Sequence, residues 1–337
     1  MLLLAFFLLI LLFWAFRDND VFGFTKDKSD FLKVFGTVGI VLHHLYLVHI
    51  LAQIHQFLYW GPIMVGLFFF VSGYGLAYSA ENKNNYLNGF IKRRMLFSIL
   101  SPAIIAFFLF QIIRILIRFQ IPEIDIRGLI SRGDYSTILP NSWFVFVILL
   151  LYVVFYLSYR FIKPRKLRLA AILLFILVYI FLLKSRGFDG CWYKTILAFW
   201  MGMLFYHGEW DKKLSFRNFI LLVVFMSVVV MGLVAMKLLP LQIDTSYILF
   251  ALFPLLIAVL ISRVDVKRVT SNRYFKFLSS ISYEIYLTHG IVIFIIKETA
   301  ILSNAFAIIV WTFFFTIILA KLVNAVSKWI QAAAKIK

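Results

Sequence analysis

One cysteine, Cys191, stands among 337 residues, so no intrachain disulfide can form and a disulfide-stapled scaffold is excluded. Seven prolines are too few for a collagen-like chain. Charge is also scarce. Asp, Glu, Lys and Arg make up 15% of the chain, against about 25% in an average soluble domain. Acidic residues are the rarer kind, 15 against 34 Lys and Arg. No polar stretch is long enough for an appended soluble domain. No internal repeat is visible, which argues against the repeat-built transporter architectures. What is abundant is hydrocarbon: apolar residues reach 63%, and Phe alone numbers 39. A soluble domain averages about 45–50% apolar, so this chain would have to bury nearly all of the excess. Long apolar runs recur from end to end. The fold class expected is therefore all-α, a polytopic membrane helix bundle.

A span needs about 20 apolar residues. Eleven can be drawn, at about residues 1–16, 31–56, 62–80, 95–119, 142–161, 167–183, 194–208, 217–237, 246–262, 279–297 and 300–327. Charge tests this parse. Only nine of the 34 basic residues fall on even-numbered connections: Arg114, Arg118, Arg127, Arg132, Lys184, Arg186, Lys194, Lys237 and Lys297. The other 25 fall on odd connections and the C-terminal tail. The positive-inside rule then places the N-terminus outside and the C-terminus in the cytoplasm. The net charge of +19 reads the same way, as loop charge facing anionic membrane lipids, and nucleic acid is not an expected partner. The first span has no basic leader and no small-residue cleavage pattern before Arg17-Asp18, so it reads as a retained anchor. Residues 1–28 are expected to form that anchor and a linker, and 29–337 the main membrane domain. The longest connection, about 119–141, carries Glu123, Asp125, Asp134, Pro122, Gly128, Gly133 and Pro140. Loops of that length are often functional.

Ionisable groups inside spans are costly and mark function by default. The second span holds Lys33, His43, His44, His49 and His55. Lys33 and His44 are eleven residues apart, close to three turns, so they share a face about 16 Å apart along the axis. His55, eleven further on, extends the same stripe. His43 is turned by about 100° onto the face of Gly36 and Gly39, which suits close helix packing. No Cys or carboxylate lies beside these histidines at ligand spacing, so no metal is expected. In the tenth span Ser282, Tyr286 and His289 share one face at i, i+4 and i+7, and Glu284 and Thr288 form a neighbouring i, i+4 pair. Gly66, Gly73 and Gly75 in the third span suit close helix approach. Lys92, Arg93 and Arg94 lead into the fourth span, either as a topology signal or as an anion site. Trp143 opens the fifth.

Together these pieces resemble the acyltransferase-3 family of integral membrane acyltransferases. Asp30-Phe31-Leu32-Lys33 followed by His44 matches the family's first core helix. Phe68-Phe69-Phe70-Val71-Ser72-Gly73-Tyr74 contains its Phe-Phe-x-x-Ser-Gly run. Phe90-Ile91-Lys92-Arg93-Arg94 with Pro102, then Trp143-Phe144, then Ser282 to His289 follow in order. Two positions depart from the pattern. Lys33 stands where the family has Arg, which keeps the charge but loses the bidentate fork. The family's Arg-x-x-Arg is broken, with Leu96 and Phe97 three residues after Arg93 and Arg94.

The resemblance implies a ten-helix core, with the first span as an eleventh helix. It implies transfer of an acyl group, most often acetyl, from acyl-CoA (acetyl-CoA) to a hydroxyl of a carbohydrate or glycolipid acceptor. His44 is the expected base or acyl carrier, with Lys33 as its catalytic partner. Lys92, Arg93 and Arg94 would meet donor phosphates. Trp143, Ser282, Glu284, Tyr286 and His289 would line the donor and acceptor site. The rival reading is a glycan or ion transporter using the histidine stripe as a proton relay. A membrane assembly protein without chemistry would need neither feature.

Overall fold

The computed structural model describes residues 23–51, 53–119, 123–210, 246–300 and 304–334. The sequence-expected spans 1–16 and 217–237 lie outside them, as does most of the expected anchor 1–28. The described residues hold helices and no β-strand. In chain order the α-helices are α1 (Lys26–Leu47), α2 (Trp60–Asn82), α3 (Ser101–Arg118), α4 (Ile126–Arg132), α5 (Trp143–Phe161) and α6 (Arg165–Ser185). They continue with α7 (Leu197–Gly208), α8 (Ser246–Ile261), α9 (Lys267–Thr270), α10 (Arg273–Ser280), α11 (Ser282–Thr299) and α12 (Ala305–Ala333). Among these residues five helical stretches are long and apolar enough to cross a membrane: 57–82, 91–118, 143–161, 165–185 and 305–333. Helices α10 and α11, bent by 71° where they join, make a sixth if taken as one span.

Helix α2 is the hub. It is apolar all round, as a helix must be when it is surrounded by other helices or by lipid, and it buries Met64, Leu67, Phe69 and Phe70. Its glycines let neighbours reach its backbone. Gly66 faces the Phe250 carbonyl and Pro254 of α8, Gly73 faces the Phe199 backbone of α7, and Gly202 of α7 returns the contact onto the Phe70 carbonyl. Helix α6, by contrast, buries only Ile172 and Ile176, as fits a helix at the rim facing lipid.

The second expected span, 31–56, is not one helix. Helix α1 stops at Leu47 in a hydrogen-bonded C-terminal motif. The His49 N–H donates to Tyr46 O at 2.9 Å and the Ile50 N–H to Leu45 O at 3.0 Å. His49 itself takes the left-handed conformation, φ 66°, the usual geometry one residue past a helix end. Leu45 and Ile50 pack in one apolar cluster, the contact that accompanies this motif. A 3-10 turn, His55–Tyr59, leads into α2. The expected stripe therefore ends at His44, in the last turn of α1. His55 leaves it and pairs with Tyr46 Oη at 3.1 Å.

The chain enters α1 through a buried latch. Thr25 caps the helix, and Phe24 sits edge-on to Phe70, Tyr74 and Phe205. The Lys28 amine, only 2% exposed, donates to Gly23 O at 2.8 Å and to Ser262 O, just past α8, at 2.5 Å. Nothing in its sequence spacing distinguished Lys28 from the loop cations. Lys28→Met keeps the bulk and removes the donors, leaving buried carbonyls unsatisfied. It is expected to cost about 1–3 kcal/mol, read as a lowered Tm in detergent.

Candidate active site

Helices α1, α5 and α11 converge on two imidazoles. His44 Nδ1 lies 3.2 Å from His289 Nε2, with ring centroids 4.8 Å apart. His44 Nδ1 also lies 2.9 Å from the Ile40 carbonyl, and His289 Nδ1 lies 3.3 Å from the Ile285 carbonyl. A carbonyl only accepts, so these contacts assign the proton to Nδ1 in both rings. The His44 N–H then donates to Ile40 O, with His289 Nε2 beside it. The lone pair left on His44 is at Nε2.

Asn141, just before α5, completes the pair. Its side-chain amide donates to His289 Nε2 at 3.2 Å. Its backbone carbonyl accepts the Tyr286 hydroxyl at 2.7 Å. Asn141 is left-handed, φ 64°, a conformation that Asn tolerates better than most residues. Gly290 is where the α3–α5 connection crosses α11: a Cβ there would stand 2.6 Å from Pro140 and 3.1 Å from the Asn141 amide. Phe144 packs on Tyr286, with centroids 5.0 Å apart.

The two faces expected on α11 are real and separate. Tyr286 and His289, 3% and 0% exposed, turn toward α1 and α5. Glu284 and Thr288 turn toward α12, where Glu284 Oε1 accepts the Asn324 amide at 2.7 Å and the Thr288 hydroxyl lies 3.3 Å from Thr316 O. Glu284 is thus not brought to the imidazoles. Ser282 sits at the bend, its hydroxyl donating to Ser279 O at 3.1 Å. Trp143 is buried and meets Phe144 edge-on.

Lys33 pairs with Asp30 at 2.9 Å, three turns from His44 on α1. Lys92, Arg93 and Arg94 lie exposed on a π-helical stretch, Ile91–Leu100, that runs into α3. Such long π stretches are rare. Pro102 lacks the N–H that α-helical pairing would need, and the Ser98 hydroxyl bonds back five residues to Arg93 O at 2.8 Å. The Arg93 guanidinium is turned onto the Asn88 carbonyl at 2.6 Å and the Tyr86 carbonyl at 3.3 Å.

Asn141 was missed in the sequence because an amide before a helix reads as an ordinary cap. Its signal was local: Pro140-Asn141 at the end of the one long connection.

A helical membrane protein with paired imidazoles where three helices meet narrows the class to membrane enzymes and proton-coupled carriers. Residues 27–324 match the family model of an acyltransferase domain, and the match takes in every residue of this site. The chain belongs to the acyltransferase-3 family, and it is a multi-pass membrane acyltransferase. No curated protein and no solved structure matches it.

Proposed function

We propose that the protein transfers an acetyl group from acetyl-CoA to a hydroxyl of a carbohydrate or glycolipid acceptor, an O-acetylation serving polysaccharide or cell-envelope modification. His44 is the general base. Its Nε2 takes the acceptor hydroxyl proton as the oxygen attacks the thioester carbonyl. The tetrahedral intermediate collapses, the carbon–sulfur bond breaks, and the proton returns from His44 to the CoA thiolate. The Ile40 carbonyl accepts the His44 Nδ1–H and, with the His289 ring packed beside it, holds His44 in the tautomer whose free lone pair is at Nε2, while Asn141, itself bonded by Tyr286, holds His289. The single observation that carries this reading is the 3.2 Å contact between His44 and His289.

Lys33 and Lys92 to Arg94 supply positive charge at the expected cytoplasmic end, where the phosphates of the donor arrive. The topology is eleven spans in the inner (cytoplasmic) membrane, N-terminus outside and C-terminus inside, with residues 1–28 as anchor and linker and 29–337 as the acyltransferase domain. The basic-residue alternation along the chain supports it.

The test is release of free thiol from acetyl-CoA by purified protein in detergent. Changing Lys92, Arg93 and Arg94 together to Gln is expected to raise the KM for acetyl-CoA by about tenfold, since a hydrogen bond to a charged group contributes about 1.5–3 kcal/mol, with kcat little changed. Wild-type protein that neither binds nor cleaves acetyl-CoA would overturn the donor assignment.

A further inference from the structure

Gln111 and Arg114 take no part in the chemistry above, yet both are about nine-tenths buried on a membrane helix, at 8% and 9% exposure. A buried arginine in such a helix is costly and marks a function. Its helix neighbour Arg118, one turn on, forms an ion pair with Glu298 at 2.9 Å. Among the described residues Arg114 meets no carboxylate, and its hydrogen bonds end on neutral oxygens. Arg114 Nη1 donates to Thr137 O at 3.0 Å and to Gln111 Oε1 at 3.1 Å. The second bond fixes which way the Gln111 amide points. Its NH2 then faces the α3–α5 connection and donates to Thr137 O at 3.2 Å and Ile138 O at 2.7 Å. Further along, Leu139 is 2% exposed, Pro140 rests against Gly290, and Asn141 reaches His289.

We propose that Gln111 and Arg114 are positioning residues for the imidazole site, acting by fixing the backbone path of 137–141 and so the place of Asn141. All the loop acceptors are backbone carbonyls, so what is held is the course of the chain. Charge on the donor strengthens such bonds, which accounts for an arginine at a place where, among the described residues, its charge has no counter-ion. Asn141 in turn fixes the proton on the far ring nitrogen of His289. The inference rests on the proposed function only in treating the imidazole pair as catalytic.

The test uses intact protein labelled with 15N-histidine, with the His289 signals assigned by substitution. Wild type is expected to show His289 protonated at Nδ1. Gln111→Leu is expected to move the His289 ring-nitrogen signals and to lower kcat for thioester cleavage about 10- to 100-fold, the scale of an ångström-level misplacement, at unchanged KM for acetyl-CoA. Arg114→Lys, which keeps a donor for the Thr137 carbonyl, is expected to retain most activity. If Gln111→Leu does not fold, Gln111→Glu keeps the shape and loses the donors. Folded Gln111 variants with wild-type His289 signals and wild-type kcat would overturn the proposal. A wild type inert toward acetyl-CoA would count against the donor alone, because the His289 signal still decides this point.

Discussion

His44→Ala is expected to lower the rate of acetyl transfer by about 100- to 10,000-fold, the range for removing a positioned general base, with the protein still folded. The ring fills the last turn of α1, where its loss removes no backbone hydrogen bond of the helix. Its Nδ1 contacts are to the Ile40 carbonyl and His289, so the group lost is the Nε2 lone pair. His44→Gln separates two accounts of that loss. Glutamine can still donate to the Ile40 carbonyl but offers no basic nitrogen. If His44 is the base, Gln is as inactive as Ala; if it only shapes the site, Gln restores much of the rate. His289→Ala is expected to fall between wild type and His44→Ala, since it removes the group that orients the base while leaving the base in place. All three are read by thiol release at saturating acetyl-CoA, with elution from size exclusion as the fold control.

The second large effect falls on the fold. Gly73 and Gly75 look alike in the sequence, both small residues in Ser72-Gly73-Tyr74-Gly75. The structure separates them. A Cβ at Gly73 would run into the Phe199 backbone of α7, and Gly202 stands in the same relation to the Phe70 carbonyl. Backbone on both sides cannot yield as a side chain would. Gly73→Ala is therefore expected to cost at least the ~1–3 kcal/mol of ordinary overpacking by forcing the two helices apart. At Gly75 nothing lies within 4 Å of an added Cβ. Gly75→Ala is expected to be neutral or to stabilise by up to about 1 kcal/mol, the helix propensity gained over glycine. Thermal unfolding in detergent distinguishes the pair. Equal losses at both positions would contradict the packing described for α2 and α7.

Much of this architecture was legible because hydrophobic length is a strong signal. The drawn spans 142–161, 167–183 and 246–262 differ from α5, α6 and α8 by two residues or fewer at each end. The failure at 31–56 has a clear cause. Apolar composition continues through His49, Ile50 and Leu51, so hydropathy shows no break, while the turn is set by a left-handed His49 and two backbone hydrogen bonds. Glycine, the usual marker of such an end, is absent. Helical spacing placed Tyr286 and His289 on one face and Glu284 and Thr288 on another, as the contacts have it. What one-dimensional periodicity could not supply is which faces meet. The contact of His44 with His289 spans 245 residues of sequence. Asn141, Gln111 and Arg114 act through bonds of which most end on backbone carbonyls, and these leave no residue pattern to read.

The most direct measurement follows the acetyl group itself. Wild-type protein and His44→Ala, each in lipid vesicles, are given acetyl-CoA carrying a 13C-labelled acetyl group and an envelope glycan fraction. The acceptor is then analysed for a base-labile 13C-acetyl ester. The account predicts ester formation by wild type, matched by release of free CoA, and almost none by His44→Ala. Equal ester formation by the two proteins, or a thioester left intact by wild type in the presence of acceptor, would contradict it.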